Sequence, residues 1–219
     1  MTAEFEELYS GVIYDSLIFD LDYQKPFVVD LKIKNLTSQG TFCGKAFTCL
    51  GKKVSKTEEI NDEVRIEMFN EFTEGCIQVI DTSSNNEVAH FGDISGKLAR
   101  KFGAKCVVID GLTRDLEILK KDDFPVFCKG VTPIDAYAKW QIVDYQCGIT
   151  LPAMGGGFIN VTPEDYIFCD GDGVLVIEGC LAEQVLELAL KRKTNEEKVR
   201  DEISKTNDIK KLYDEVGRW

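Results

Sequence analysis

The chain has 219 residues, of which 44% are hydrophobic and 29% are charged, a balance typical of a globular protein with a sizeable core. Its net charge of −12 argues against non-specific binding to nucleic acid, because the phosphate backbone repels an acidic surface. No apolar run approaches the roughly 20 residues that a bilayer span needs, and the acidic N-terminus lacks a signal-peptide pattern. We therefore predict a cytoplasmic protein that binds neither membrane nor nucleic acid.

The first half of the chain is predicted to mix helices and strands, as judged from the spacing of its apolar residues. In chain order we expect a helix and a short apolar stretch over 4–20, strands at 26–34 and 40–50, a helix within 57–72, a buried strand at 75–81 and a polar loop at 82–91.

In the second half of the chain, the predicted helices and strands alternate more regularly. A helix over 94–102 ends at Gly103, and glycine commonly adopts the left-handed conformation just past a helix. The next expected elements are a buried strand at 105–111, a helical turn at 116–121, a strand at 124–130, several short strands over 140–180 and helices from 180 onward. This order predicts an α/β layer with parallel pairing, followed by a β-rich layer and a charged helical tail.

The eight cysteines lie mostly in apolar, strand-like stretches. They are Cys43, Cys49, Cys76, Cys106, Cys128, Cys147, Cys169 and Cys180. No Cys-x-x-Cys pair is present, so a zinc ribbon or a thioredoxin motif is not expected. We predict buried free thiols rather than disulfides.

The strongest functional candidate is formed by Asp93, at the start of a predicted helix, and the pair Arg114-Asp115, just past a predicted strand. One helix and one strand separate them, so the chain can return to the same edge of a sheet. Two carboxylates suit a divalent cation, and a guanidinium can stabilise a developing oxyanion. The alternative is that Asp93 caps its helix and that Arg114 and Asp115 form a salt bridge in a turn.

There are four weaker candidates, and a structural interpretation is favoured for the first three. The run from Asp170 to Gly173 resembles a calcium loop but lacks the glycine and acid that an EF-hand needs further on, so we predict a hairpin turn. The run from Gly155 to Gly157 has no phosphate-loop spacing and is interpreted as a turn. His90 is expected to be a solvated loop residue, with a position near Asp93 as the alternative. The polar loop from Thr82 to Asn86 is either an ordinary connection or a set of amides that bind a carboxylate.

The sequence resembles the family of the regulator of ribonuclease activity A, and within it the metal-dependent 4-hydroxy-4-methyl-2-oxoglutarate aldolases. The resemblance rests on Gly92-Asp93 and Arg114-Asp115 with twenty residues between Asp93 and Arg114, and it extends over about residues 8–190. Supporting segments are Tyr14–Leu17, Gly44–Thr48 and the late run from Asp165 to Val174. The sequence departs from the family at Pro163-Glu164-Asp165, where the family has a Pro-Gly turn, and in the Ser/Asn-rich loop before Gly92, where the family tends to be glycine-rich.

The resemblance implies an α/β fold, specifically an α/β/β sandwich of the phosphohistidine swivelling-domain type with a C-terminal helical extension. We accordingly divide the chain into a domain over 1–190 and a charged helical tail over 191–219. The implied assembly is a homotrimer, or a hexamer of two trimers, with active sites at subunit clefts.

The resemblance also implies site residues. Asp115 would bind Mg²⁺ or Mn²⁺, and Asp93 would assist through water; Arg114 and Asp93 would act in catalysis. The small 2-oxo acid substrate would contact Arg114, Ser84, Asn85, Asn86, Gly92, Asp93 and Ile94. The predicted activity is a lyase that cleaves 2-oxo acids through a pyruvate enolate, as an aldolase, an oxaloacetate decarboxylase or both.

Two other functions remain open at this point. The first is a non-catalytic regulator that binds a ribonuclease or an RNA helicase through its acidic surface. The second is a methyltransferase, which ranks last because no glycine-rich cofactor loop follows the first predicted strand.

Overall fold

A computed structural model describes residues 1–54, 62–203 and 205–216. Its strands are β1 (Lys34–Asn35), β2 (Phe42–Lys53), β3 (Ile77–Asp81), β4 (Ala89–Phe91), β5 (Cys106–Ile109), β6 (Leu112–Thr113), β7 (Val126–Cys128), β8 (Gly130–Val131), β9 (Trp140–Tyr145), β10 (Ile149–Pro152), β11 (Phe158–Val161), β12 (Tyr166–Cys169) and β13 (Val174–Ile177). Its helices are α1 (Thr2–Phe5), α2 (Ser10–Asp15), α3 (Glu63–Asn70), α4 (Asp93–Lys101), α5 (Leu116–Lys121), α6 (Ala182–Ile203) and α7 (Ile209–Val216). A π-helical turn at Ser16–Asp20 extends α2, and a 3₁₀ turn at Gly179–Leu181 precedes α6.

The main sheet has the strand order β1-β7-β5-β3-β2-β12-β13, and β9 also pairs with β2. Its centre is parallel, from β2 through β3 and β5 to β7. The remaining pairs are antiparallel. The strands β4, β6 and β8 form a separate small parallel sheet, and β10 with β11 forms an antiparallel hairpin.

The main sheet is covered on both faces, and the alternation of side chains along β3 shows how. Ile77 and Val79 belong to a core shared with the hairpin of β10 and β11. Ile80 belongs to a core shared with α3, α4 and α5. Strands buried on both faces are expected to be almost continuously apolar, and β3 is so except for Gln78 and its last residue, Asp81. The layers are therefore helix, sheet and hairpin, and the predicted α/β fold class is confirmed.

A third core holds the termini together. Residues of α2 and α6, such as Val12 and Val185, pack with Phe168 and Ile177 of the strands β12 and β13. The predicted C-terminal helix is present as α6, which runs through residue 190 without interruption. The division of the chain at that residue stays a prediction. None of the described helices is both long enough and apolar enough to cross a bilayer.

Three local expectations were wrong or incomplete. Residues 26–33 form no strand, and β1 begins only at Lys34: the backbone turns at Asp30, whose carboxylate accepts a hydrogen bond from the Lys32 amide, and Val28 and Val29 make isolated bridges. The loop predicted over 82–91 ends in the buried strand β4. The helix predicted within 57–72 is α3, and residues 55–61 of that stretch lie outside the described residues.

The cysteine prediction is confirmed for most positions. All eight thiols, each in the described part of the chain, are free, and six are buried. Cys147 is half-buried and Cys180 is exposed. The turn from Asp170 to Gly173 joins β12 to β13 as a hairpin, as expected.

Candidate active site

The small parallel sheet brings the two halves of the predicted site together. Strand β4 pairs with β6, with Phe91 opposite Thr113. Gly92-Asp93 directly follows β4, and Arg114-Asp115 directly follows β6, so both pairs leave the same edge of the sheet. The Arg114 amide donates a hydrogen bond to the Phe91 carbonyl oxygen at 3.0 Å, which fixes the two segments against each other.

Asp93 is the first residue of α4, and Gly92 is the residue that precedes the helix. The interpretation of Asp93 as the helix cap is therefore wrong, because Gly92 occupies the N-cap position. One carboxylate oxygen lies 3.5 Å from the ammonium of Lys97, one helical turn further on. The side chain is 21% exposed, so the carboxylate remains accessible from the cavity.

Asp115 has a left-handed backbone, with φ of 59°, directly before α5. Its Oδ2 lies 3.3 Å from Nε of Arg114, so the neighbouring pair forms the salt bridge that the alternative interpretation proposed. Gly92 lies against the same carboxylate: a Cβ atom at position 92 would be 2.7 Å from Asp115 Oδ2. The absence of a side chain at position 92 therefore leaves room for this carboxylate.

Arg114 has a second partner, Asp135, that the sequence did not indicate. Nη1 of Arg114 lies 2.9 Å from Oδ2 of Asp135. This hydrogen bond raises the pKa of Arg114 above its usual range. The pKa of Asp135 is lowered, first by the hydrogen bond from the Tyr137 amide and then by Arg114. The guanidinium is therefore held between two carboxylates and stays charged.

These residues border one cavity of about 360 Å³. Polar and charged side chains surround its mouth, namely Arg65, Asp93, Ser95, Arg114, Asp115 and Asp135. Its floor is formed by buried side chains, namely Met68, Gln78, Ile80, Phe91, Trp140 and Ile142. The cavity thus combines a charged entrance with a largely apolar interior, a composition common in small-molecule sites.

The predicted substrate-binding residues divide into two groups. Gly92, Asp93, Ile94 and Arg114 line the cavity. Ser84, Asn85 and Asn86 are not among its lining residues. Asn85 is engaged elsewhere: its side-chain oxygen lies 3.1 Å from Nε2 of His90 and accepts a hydrogen bond from the Glu87 amide.

His90 is buried, so the expectation of a solvated loop histidine was wrong. Its ring is 8% exposed and lies edge-on to the indole of Trp140, with the ring centroids 4.7 Å apart. Burial lowers the pKa of His90 to about 4, so the ring is neutral near pH 7. The Leu112 amide donates to Nδ1 at 3.2 Å, which leaves Nε2 to donate to Asn85. His90 lines the cavity as a neutral, fixed ring.

Two carboxylates beside the cavity are the candidate ligands for a divalent cation. Within the described ranges, no three side chains of His, Cys, Asp or Glu are grouped as a metal site. Asp93 and Asp115 supply two partly exposed carboxylates beside one cavity, and position 92 lacks the Cβ that would crowd Asp115. Mg²⁺ commonly binds through one or two carboxylates and completes its shell with water and substrate. The oxygen donors thus fit Mg²⁺ or Mn²⁺ better than zinc, which prefers nitrogen and sulfur.

Known proteins with similar sequences include aldolases by name. A relative from Halalkalibacterium halodurans, named "Putative 4-hydroxy-4-methyl-2-oxoglutarate aldolase", is 35% identical over 127 residues, which is 58% of this chain and 58% of the relative. A relative with the same name from Hahella chejuensis is 26% identical and covers 68% of this chain and 83% of its own. The chain thus matches less than two thirds of the length of the Halalkalibacterium relative.

A solved structure supports the fold, and a family model shows the family. Streptomyces coelicolor RraAS2, described as an unusual member of the RNase ES inhibitor RraA protein family, superposes with a TM-score of 0.74 at 18% identity, over 91% of this chain and 94% of that chain. At this identity the match concerns the fold alone. The family model described as RraA-like, Aldolase/RraA, matches residues 13–176, most of the chain. This protein therefore belongs to the RraA-like family.

Proposed function

We propose that this protein is a divalent-metal-dependent lyase that cleaves the carbon–carbon bond of a 2-oxo acid and releases pyruvate through its enolate. The observation that carries the proposal is the meeting of Asp93, Arg114 and Asp115 at one cavity through the pairing of β4 with β6. The names of the aldolase relatives support the same reaction class. We further propose a cytoplasmic location.

The two carboxylates would hold the cation. Asp115 would bind Mg²⁺ or Mn²⁺ directly, and Asp93 would orient the water molecules around it. When bound, the cation would act as a Lewis acid that polarises the substrate's oxo group. The ammonium of Lys97 lies 3.5 Å from the Asp93 carboxylate. Its positive charge limits the electrostatic repulsion between Asp93 and Asp115.

Arg114 would bind the substrate and stabilise charge. Its guanidinium would face the negative charge that develops on the C2 oxygen when the carbon–carbon bond breaks. Asp135 is a positioning residue in this scheme, because it holds Nη1 at 2.9 Å and restricts the guanidinium to one orientation. A lysine at position 114 would not reproduce this arrangement, because its ammonium group lacks the planar, forked shape with which a guanidinium contacts two partners at once.

Two substrates follow from the chemistry. Cleavage of 4-hydroxy-4-methyl-2-oxoglutarate needs a base to remove the hydroxyl proton, and a water held by Asp93 is our candidate. Decarboxylation of oxaloacetate passes through the same enolate without this base. One site can therefore catalyse both reactions.

The test is pyruvate release from both substrates, measured with Mg²⁺, with Mn²⁺ and with EDTA. We expect metal-dependent release by the wild type, and a loss of at least about 100-fold in kcat/KM for Asp115→Ala and for Arg114→Ala. Asp172→Ala, which changes an acid of the β12–β13 hairpin turn, is the matched control and should keep its activity. Near-native turnover by Arg114→Ala would exclude this mechanism.

A regulatory function is the second candidate. Two observations favour it: the net charge of −12 and the fold shared with RraAS2, which is described as a member of an RNase ES inhibitor family. A stable complex with a ribonuclease that persists in Asp115→Ala, together with no pyruvate release above the metal-only background, would support regulation over catalysis.

A further inference from the structure

The floor of the cavity contains a polar side chain from the middle of the mostly apolar strand β3. Gln78 lies in β3 between Ile77 and Val79, and it is 1% exposed. Because side chains alternate along a strand, Gln78 faces the same layer as Ile80, towards α3 and the cavity that both residues line.

The amide of Gln78 has almost no hydrogen-bond partners. Its Oε1 is buried and accepts no hydrogen bond within the described structure. Among the described residues, the hydrogen-bond partners of its Nε2 are two sulfur atoms, Sγ of Cys49 at 3.6 Å and Sδ of Met68 at 3.7 Å. Thiol and thioether sulfurs are weak acceptors, so both ends of the amide have spare capacity. An unsatisfied buried amide destabilises a fold, and an apolar side chain of similar shape would pack here at less cost.

Among the described residues that line the cavity, the charged side chains lie at its entrance. The cationic side chains that line it are Arg65, whose Nη2 lies 3.3 Å from Oγ of Ser95, and Arg114. The buried side chains of the described lining are uncharged: Met68, Ile80 and Ile142 are apolar, and the ring of His90 is neutral. A carboxylate placed on this floor would lose its hydration without meeting a cation. A neutral amide, hydroxyl or carbonyl group would instead match the free amide of Gln78.

We propose that Gln78 determines substrate specificity by hydrogen-bonding a neutral polar group at the far end of a 2-oxo acid whose chain extends beyond the pyruvate unit. This inference rests on the proposed function, which places the 2-oxo acid end of the ligand at Arg114 and Asp115. It implies that 4-hydroxy-4-methyl-2-oxoglutarate, whose far end is a carboxylate, binds more weakly than a 2-oxo acid of the same length with a neutral polar far end. A cavity of about 360 Å³ lies within the range of small-molecule pockets and exceeds what the pyruvate unit alone would fill.

Equilibrium binding in the presence of Mg²⁺ tests the inference without requiring turnover. Three probes share one length and differ at the far end: 2-oxoglutaramate carries a neutral amide, 2-oxoglutarate a carboxylate, and 5-methyl-2-oxohexanoate an apolar group. Pyruvate serves as the short probe that reaches only the entrance. Each is titrated by calorimetry into the wild type, Gln78→Met and the control Gln184→Met, which makes the same change on the exposed face of α6.

We expect the wild type to bind 2-oxoglutaramate about five- to tenfold more tightly than either of the other long probes, the factor that one or two hydrogen bonds supply. Gln78→Met should lose this preference, bind 5-methyl-2-oxohexanoate at least as well as before, and keep its pyruvate affinity within about twofold. Gln184→Met should behave as the wild type does. The unfolding midpoint of Gln78→Met in urea should also show that this variant is no less stable than the wild type.

Several results would overturn the inference. These are an unchanged affinity of Gln78→Met for 2-oxoglutaramate, an equal loss for pyruvate, a wild-type preference for 2-oxoglutarate, or no binding of the amide at all. Failure of the proposed function is a separate result: pyruvate release would be absent while the Gln78-dependent preference among the probes remained.

Discussion

At the scale of single residues, the site depends on how closely Gly92 approaches Asp115. The Cβ of any other residue at position 92 would lie 2.7 Å from Asp115 Oδ2 and 3.2 Å from Cγ of Arg114. The φ of Gly92 is −158°, an extended conformation that every residue adopts, so the constraint is contact and not backbone strain. A glycine is needed here because the space is already filled by the carboxylate.

Gly92→Ala is therefore expected to impair catalysis while the fold remains. Displacing a reacting group by about 1 Å can cost on the order of 100-fold in rate, and we expect a loss of this size in kcat/KM for pyruvate release. The concentration of Mg²⁺ needed for half-maximal activity should rise as well. Gly148→Ala is the matched control, because a Cβ at position 148 meets no atom within 4 Å. Equal activity of the two variants would show that the approach to Asp115 has no functional role.

His90 gives a prediction for the pH dependence of stability. The pKa of His90 is about 4 in the native state, below the value of about 6.5 for an exposed histidine. Between these values the unfolded chain binds the proton and the native chain does not, so the free energy of unfolding falls as the pH drops through this window. The full difference corresponds to about 3 kcal/mol.

The measurement is urea unfolding between pH 7 and pH 5, where most carboxylates remain ionised. The wild type should lose stability over this range, and His90→Gln should lose less. Because His90 is the only histidine of the chain, its ring resonances report its native pKa directly by NMR. A midpoint near pH 6.5 in that titration would contradict the buried, neutral ring.

At the scale of elements, the long periodic segments were predictable and the short ones were not. The strands β3 and β5 and the helix α4 appear at the predicted positions because continuous apolar runs and helical spacing are strong local signals. The strands β4, β6 and β8 have two or three residues each, too few for a periodic pattern. Their pairing is nonetheless what brings Asp93 to Arg114.

The side chains that contact the predicted site residues could not be predicted from the sequence, for a related reason. Asp135 approaches Arg114 from a loop 21 positions away, and no local pattern marks that contact. Gln78 did carry a signal, since a glutamine interrupts an apolar strand, but a signal of that kind is also produced by an ordinary buried amide with protein partners. Ser84, Asn85 and Asn86 were assigned by resemblance, and the structure places them outside the cavity lining.

The contact between β2 and β9 offers a prediction at this scale. The register of this pair shifts between Leu50 and Gly51, and a Cβ at position 51 would lie 1.8 Å from Cζ2 of Trp140. Gly51→Ala should therefore push the indole away from the strand and destabilise the protein by about 1–3 kcal/mol, the usual effect of overpacking. Trp140 also lines the cavity, so ligand affinity should fall with stability. Urea unfolding followed by tryptophan fluorescence measures the effect, with Gly171→Ala as a control that meets no neighbouring atom.

At the scale of the whole molecule, the entrance of the cavity leaves apolar side chains exposed. Ile94 is 64% exposed and Tyr137 is 70% exposed, and both line the cavity. The homotrimer implied by the resemblance, with sites at subunit clefts, would cover such side chains.

The chain has a mass of 24.6 kDa, so light scattering should give about 74 kDa for a trimer, or about twice that for a hexamer. Tyr137→Glu should lower this mass, whereas Tyr213→Glu, on the exposed side of α7, should not.

The separation of the small sheet from the main sheet has a consequence for heat inactivation. In the described part of the chain, β4, β6 and β8 pair with one another and make one further bridge, from Ala89 to Asp135, so their ladders are short, whereas the main sheet holds the large cores. Local opening of a region requires less free energy where fewer backbone hydrogen bonds must break. We therefore expect thermal inactivation to begin several degrees below the temperature at which the main sheet melts, and to be reversible on cooling within that interval.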